Sequence, residues 1–161
     1  DAGYSVSLET SGGLDVSAVD PRISKILDLK TPGSGECERN LWSNLAHLTP
    51  HDEIKFVLCD EADYQWACEQ IRKHQLDAKC PLLLSPVHGK LEPRLLAEWI
   101  LRDHLPVRMQ LQLHKLLDTF PLFAQINRED QEELLLLFRP KAATANSDFY
   151  SPCASTPILM N

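Results

Sequence analysis

The chain has 161 residues, 43% of them hydrophobic, which favours one domain, or one domain and a tail, and excludes wholesale disorder. A formal charge of −7 and a pI near 5.3 exclude a nucleic-acid backbone as the main partner, because phosphate binding needs clustered Lys and Arg, and none are clustered here. No apolar run approaches a membrane span, the longest strongly apolar stretch being 134–138. The start, Asp1-Ala2-Gly3-Tyr4, has neither the basic nor the apolar region of a signal peptide. It leads almost at once into a strand-like run, so a fragment or a processed chain is expected.

In chain order, residues 4–8 form a β-favouring run that ends in Glu9-Thr10-Ser11-Gly12-Gly13. Residues 23–29 form the next, ending in Lys30-Thr31-Pro32-Gly33-Ser34-Gly35. Leu41, Leu45 and Leu48 then fall at helical spacing around 39–47. A third strand is predicted over 53–59, followed by a helix over 61–74 whose apolar stripe is Tyr64, Ala67, Cys68 and Ile71. A fourth strand over 81–84 runs into Ser85-Pro86-Val87-His88-Gly89. Pro93 sits in the first turn of another helix, where a missing N–H costs nothing, and Leu95, Leu96, Trp99 and Ile100 supply its buried face. A fifth strand covers 107–113, an amphipathic helix falls within 120–138, and 140–161 reads as a disordered tail. The organisation is therefore a domain over 1–117, a helical extension over 118–139 and the tail.

Strands alternating with helical or loop connections imply an α/β fold with a parallel sheet and right-handed crossovers. Four of the five strands run directly into a polar or glycine-rich motif: ETSGG, DLKTPGSG, SPVHG and QLHK. Ligand sites of barrels and open α/β sheets lie at that C-terminal edge. The strands themselves carry polar residues that a plain core would not. Lys55 lies between Ile54 and Phe56, as either a snorkelling lysine or a ligand contact. Asp28 and Lys30 alternate with Leu27 and Leu29 and so project to one side. In the fifth strand Arg108, Gln110 and Gln112 alternate with Val107, Met109 and Leu111, giving a polar face that is either solvated or turned into a barrel lumen.

The five cysteines, Cys37, Cys59, Cys68, Cys80 and Cys153, fit no zinc ribbon, redox pair or ferredoxin-like run. An odd count without a secretion signal points to reduced thiols and a cytoplasmic protein.

Three stretches carry a resemblance: ETSGGLDVSAVDPRISKILDLKTPGSGE, HDEIKFVLCDEADYQWA and CPLLLSPVHGKLEPRLLAEWILRDHLPVRMQLQLHKLL. Over about 1–117 the chain resembles the 7-carboxy-7-deazaguanine synthases, radical S-adenosylmethionine enzymes of queuosine-type deazapurine biosynthesis. The resemblance implies a partial (β/α) barrel of the radical S-adenosylmethionine type, active as a homodimer, with the N-terminal strands missing here. A [4Fe-4S] cluster would cleave S-adenosylmethionine, and the resulting radical would take a hydrogen from 6-carboxy-5,6,7,8-tetrahydropterin. A magnesium-assisted ring contraction with loss of ammonia would follow. The family's three cluster cysteines and its magnesium loop have no counterpart here, so the chain alone is expected to be inactive, with no catalytic or metal-binding residue of its own.

Carried over motif by motif, Thr10 would contact the pterin, and Gly12 would let the backbone approach S-adenosylmethionine. Lys55 and Phe56 would line its ribose and adenine region. Ser85, Pro86, Val87 and His88 would form the adenine-side loop. Asp28, Lys30 and Ser34 would shape the same mouth, or serve structure alone, with Lys30 pairing either Asp28 or a substrate carboxylate. Beyond Leu117 the family's short Trp- and Pro-containing ending is replaced by an unrelated extension, whose 119–140 stretch faintly resembles the opening helix of a cyclic-nucleotide-binding regulator. Competing readings are a non-catalytic module of the same fold, an activating enzyme of another radical protein, or an unrelated α/β binding protein. For the last, the Gly33-Ser34-Gly35 turn is too short for a P-loop.

Overall fold

A computed structural model describes residues 4–112. The expected helix within 120–138 and the tail over 140–161 lie outside the described residues, as does the end of the fifth predicted strand. Five strands form one sheet: β1 Ser7–Thr10, β2 Ser24–Leu29, β3 Glu53–Leu58, β4 Leu82–Pro86 and β5 Arg108–Met109. They lie in the order β1-β2-β3-β4-β5 and every pairing is parallel. All C-terminal strand ends therefore share one edge, and the motif loops after β1, β2 and β4 gather there as the alternation predicts; the QLHK motif after β5 lies outside the described residues beyond Gln112.

The described residues also form two α-helices, α1 Glu61–His74 and α2 Pro93–Arg102, and short 3-10 segments. Asp60 caps α1, its carboxylate accepting the Asp63 N–H at 2.9 Å. Glu61 and Asp63 in the first turn, and Arg72, Lys73 and His74 in the last, both oppose the helix dipole. Gln75 ends the helix at φ +50, in the left-handed region. Pro93 opens α2 as expected.

The alternation along β2 and β3 sorts the sheet into two faces. Leu27 and Leu29 share one with Ile54, Phe56 and Leu58, and with Leu82 and Leu84 of β4. These residues are essentially inaccessible and pack with Tyr64, Ala67, Cys68, Ile71 and Leu96 of the helices. The opposite face carries Glu9, Ile26, Asp28, Lys55 and Val57, all at least partly accessible. Tyr64 ties the two helices together. Its hydroxyl shares one proton between the Trp99 carbonyl at 2.9 Å and the Asp103 carboxylate at 2.8 Å. Burial, first, and then Asp103 raise the Tyr64 pKa far above the phenol range, so this oxygen stays a donor.

Four expectations are corrected. The first strand begins at Ser7 rather than at residue 4, because β2 offers no partner before Ser24; Asp20 and Arg22 form a turn there, and Tyr4 is left 83% exposed. The segment around 39–47 is not an α-helix but two 3-10 pieces, Cys37–Arg39 and Trp42–His47. Its asparagines bond to distant backbone rather than leaving the chain to coil on itself. On α2, Leu96 is fully buried and Trp99 and Ile100 pack on the core, but Leu95 faces outward at 44% exposure. The fifth strand keeps only Arg108–Met109. After the Gln110 N–H reaches Leu84 O at 2.9 Å, the next ladder donor on β4 would be Pro86, which has no N–H.

At the N-terminal edge a buried ion pair joins β2 to the loop before β3. Lys25 Nζ lies 3.1 Å from Asp52, and both side chains are almost wholly inaccessible. Burial raises the Asp52 pKa, but bonds from the Lys25 and Thr49 N–H groups, the Lys25 ammonium and the Thr49 hydroxyl outweigh it and hold the carboxyl below its usual value.

Candidate functional site

The C-terminal edge and the adjoining open face hold three hollows. One of about 190 Å³ is lined by Glu9, Thr10, Ser11, Ile26, Asp28, Lys30 and Lys55. A second, of about 340 Å³, shares Ser11 and Lys30 with it and continues over Gly13, Leu14, Glu36 and Arg39. A third, of about 410 Å³, lies beyond β4 between Pro86, His88, Lys90, Leu91 and Leu111. The first two carry charges of both signs. The third also has Lys90 and Glu92 on its lining, but Pro86, Leu91, Pro93 and Leu111 make it more apolar than the other two.

Register explains the first hollow. Asp28 stands opposite Lys55, and Glu9 opposite Ile26, all on the open face. Lys30 Nζ donates to Asp28 Oδ2 at 2.6 Å, so the expected pairing within Asp28-Leu29-Lys30 is present. The other carboxylate oxygen, Asp28 Oδ1, is buried and has no hydrogen-bond partner. An acceptor left in that state is costly, and a donor brought into the hollow would relieve it. Lys55 takes part in none of the ion pairs found among the described residues. Its half-open setting, on the neighbouring strand directly opposite that carboxylate, suits a polar or anionic ligand group better than a core.

The remaining candidate residues are placed as follows. Thr10 lines the hollow, but its register partner is Leu27, so its side chain belongs to the helix-side face; its Oγ1 accepts the Gly12 N–H at 3.3 Å. Gly12 is buried at φ +72, where a β-carbon would come 3.3 Å from Leu27 Cδ1. Its carbonyl is already taken by the Leu41 N–H at 3.0 Å. Phe56 is wholly buried on the opposite face from Lys55, so these neighbours cannot line one ligand with both side chains. Ser34 has a structural role: its hydroxyl donates to Thr31 O at 2.6 Å and accepts the Glu36 N–H at 3.2 Å.

After β4 the motif divides. Ser85 is fully buried on the face of Val57, and its hydroxyl finds no partner. The Val87 N–H donates to Leu58 O at 2.8 Å, which carries the β3–β4 pairing past Pro86. Pro86 and the exposed His88 line the third hollow, whereas Ser85 and Val87 do not.

Three residues that sequence patterns do not single out shape this edge. Asn40 brackets Lys30 like a peptide group, accepting its N–H at 2.9 Å and donating to its carbonyl at 2.8 Å. The buried Asp63 accepts from Gly33 N at 2.7 Å and from Cys59 N at 2.9 Å, binding the exit loops of β2 and β3 together. Asn44 holds the loop after β1. The available signal is slight: Asn40, Asn44 and Asp63 each immediately precede a large apolar residue, Leu41, Leu45 and Tyr64.

The cysteines do not converge. Cys68 and Cys80 are buried in the core, and Cys37 and Cys59 sit half-buried on separate loops. Among the described residues no three His, Cys, Asp or Glu side chains group to hold a metal ion. Cys59 has the Lys90 ammonium 3.9 Å from its sulfur, yet its thiol pKa is raised, by burial first, so it is a poor thiolate donor. Cys153 lies outside the described residues. Among those residues no helix is long and apolar enough to cross a membrane.

The chain is 55% identical to a 7-carboxy-7-deazaguanine synthase of Chlorobaculum tepidum over 113 residues, covering 68% of this chain and 51% of that protein. It is 42% identical to the protein of the same name from Koribacter versatilis, over 73% of this chain and 58% of the relative. A third, from Methanospirillum hungatei, is 40% identical over 71% of this chain and 47% of the relative. The chain thus spans about half the length of the curated relatives it matches. No family model matches it, and no solved structure does.

Proposed function

Because this chain is a relative of the 7-carboxy-7-deazaguanine synthases over about two thirds of its length, we propose that its C-terminal sheet edge is a ligand-binding wall of such an enzyme. The wall would be a segment of a partial barrel whose open face is the lumen. In the whole protein the reaction would turn 6-carboxy-5,6,7,8-tetrahydropterin into 7-carboxy-7-deazaguanine with loss of ammonia. S-adenosylmethionine supplies the radical for that chemistry when it meets a [4Fe-4S] cluster.

The observation that carries this reading is the hollow where Lys55, the Asp28–Lys30 pair and the orphaned Asp28 Oδ1 meet beside Thr10. Lys55 and Lys30 suit a carboxylate, and Asp28 Oδ1 suits an ammonium or an N–H edge. S-adenosylmethionine offers both on its amino-acid head, and the pterin offers a carboxylate and ring N–H groups. Pro86 and His88 would receive the flatter, less polar part of a ligand in the third hollow.

The cluster does not fit the described residues. A site-differentiated [4Fe-4S] centre needs three converging thiolates, and Cys37, Cys59, Cys68 and Cys80 lie on separate elements, two of them in the core. Magnesium finds no carboxylate cage either. The described part of the chain therefore binds and orients, and the radical-generating centre, the opening substrate contacts and a homodimeric partner would come from elsewhere in a whole enzyme. Calorimetric titration of S-adenosylmethionine into the chain tests this. Binding that Lys55→Met weakens is expected; no binding by a folded chain contradicts the reading and favours a non-catalytic module.

A further inference from the structure

We propose that Asn44 is a positioning residue for the loop that follows β1, acting on ligand through Thr10 and Gly12 without touching it. This rests on the reading of that loop as part of the ligand wall.

Asn44 lies in the 3-10 segment Trp42–His47, between β2 and β3, and is completely buried. Every strong bond its amide can make goes to the β1 loop, some thirty residues earlier. Its Oδ1 accepts the Val16 N–H at 3.1 Å. Its Nδ2 donates to the carbonyls of Gly12 at 3.2 Å and Leu14 at 2.8 Å. The preceding backbone adds the Leu41 N–H on Gly12 O at 3.0 Å.

The loop has little else to hold it. Residues 11–16 form neither helix nor strand, and Leu14 is 78% exposed, so burial of Val16 alone anchors the far end. Without Asn44, the buried Val16 N–H and the Leu14 carbonyl would need new partners, and the Gly12 carbonyl would keep only the Leu41 N–H. Gly12 must also stay in the left-handed region, which the two donors on its carbonyl secure. Thr10 Oγ1 in turn accepts the Gly12 N–H at 3.3 Å, so that hydroxyl is tied to the residue whose carbonyl Asn44 holds. Ser11 lines both charged hollows within the same turn. One buried amide, beyond β2 in the chain, therefore sets the geometry of the loop as a side-chain substitute for a ladder.

A residue needed only for folding would loosen the whole sheet when replaced, and the test separates the two. The 161-residue chain is compared with Asn44→Asp and Asp52→Asn. Asn44→Asp keeps the size and the acceptor for Val16 but removes both donors. Asp52→Asn breaks the buried pair with Lys25 at the opposite edge and serves as a control for general loss of stability. Amide hydrogen exchange and titration of S-adenosylmethionine are read on each.

Asn44→Asp should speed exchange over 11–16 at least about tenfold beyond any change in β2–β4, and weaken binding about tenfold, the loss of one to two buried hydrogen bonds. Asp52→Asn should lose stability while keeping both the 11–16 protection and the affinity. If Asn44→Asp does not fold, Asn44→Ser, which keeps one hydroxyl donor, is read in the same way. Uniform loosening by the Asn44 variant, or equal loss of affinity in both variants, overturns the proposal. Absence of binding by the unaltered chain counts against the ligand-wall reading instead. The exchange pattern then decides alone: a loop still protected in Asn44→Asp overturns the positioning role, and a locally opened one supports it.

Discussion

A β-carbon on Gly33 would stand 2.5 Å from Asp63 Oδ2, closer than real contacts allow. Asp63 is buried and already committed to the N–H groups of Gly33 and Cys59, so it has no room to yield. Glycine is thus required here for close approach, although its φ is unexceptional. The consequence is that one carboxylate ties the exit loops of β2 and β3 together at the C-terminal edge.

Gly33→Ala is expected to cost about 1–3 kcal/mol, the range for overpacking a tight site or for losing a buried carboxylate's hydrogen bond. Chemical denaturation of the variant checks this. Gly35→Ala tests the other principle, since a β-carbon there meets nothing within 4 Å but φ is +74. Its cost should be about 1 kcal/mol, from backbone strain alone.

Lys55 and Phe56 should separate by readout. Lys55→Met keeps the aliphatic stem and removes the charge, so ligand affinity should fall by about 1.5–3 kcal/mol with little change in stability. Phe56→Ala empties a wholly buried site among the core leucines and should cost about 3–5 kcal/mol of stability. A large stability loss with unaltered binding for Lys55→Met would mean that the lysine serves the fold.

Much of this architecture can be read from local pattern. α1 falls where the Tyr64-Ala67-Cys68-Ile71 stripe predicts it, over about 61–74, and the Asp60 cap and basic last turn found in the structure agree with that pattern. The parallel order follows from alternation. What escapes prediction depends on partners far away in sequence. β1 slides to Ser7 because only β2 determines where pairing begins, and 39–47 adopts 3-10 geometry because Asn40 and Asn44 bond to Lys30 and the Gly12 loop. Of the residues that motif resemblance singles out, Thr10, Lys55 and Pro86 line hollows, whereas the Phe56 side chain is buried on the opposite face from Lys55. Period-two alternation alone would have separated it from Lys55.

The Lys25–Asp52 pair gives a pH dependence with a definite sign. The Asp52 pKa is lower folded than its ordinary value of 3.8, so its stabilising contribution is complete above that value. It is lost as pH falls below it and through the folded pKa. Unfolding monitored between neutral pH and strong acid should show this loss in the unaltered chain and not in Asp52→Asn. Near neutral pH Asp52→Asn itself should be destabilised by about 3–5 kcal/mol, because Lys25 is left charged and buried without a partner.

β1 is an edge of the sheet among the described residues, and Leu8 on it is 38% exposed. Tyr4 and Val6 before it are more exposed still. An uncovered parallel edge with apolar side chains templates further pairing. Residues 1–117 as an isolated polypeptide should therefore associate at micromolar concentration, and Leu8→Lys should reduce that association in sedimentation experiments. A monodisperse, cooperatively melting monomer without the substitution would contradict this.

If the C-terminal sheet edge is the proposed ligand wall, residues 4–112 should serve in place of the matching segment of a whole 7-carboxy-7-deazaguanine synthase. The most direct measurement is product formation by a chimera in which the matching segment of the Chlorobaculum tepidum relative is replaced by residues 4–112 of this chain, assayed anaerobically beside the chain alone. The chimera should convert 6-carboxy-5,6,7,8-tetrahydropterin to 7-carboxy-7-deazaguanine, and Lys55→Met within it should weaken S-adenosylmethionine binding. The chain alone, reconstituted with iron and sulfide, should give neither a stable cluster nor 5′-deoxyadenosine. A folded, cluster-loaded chimera without product, or product from the chain alone, would contradict the account.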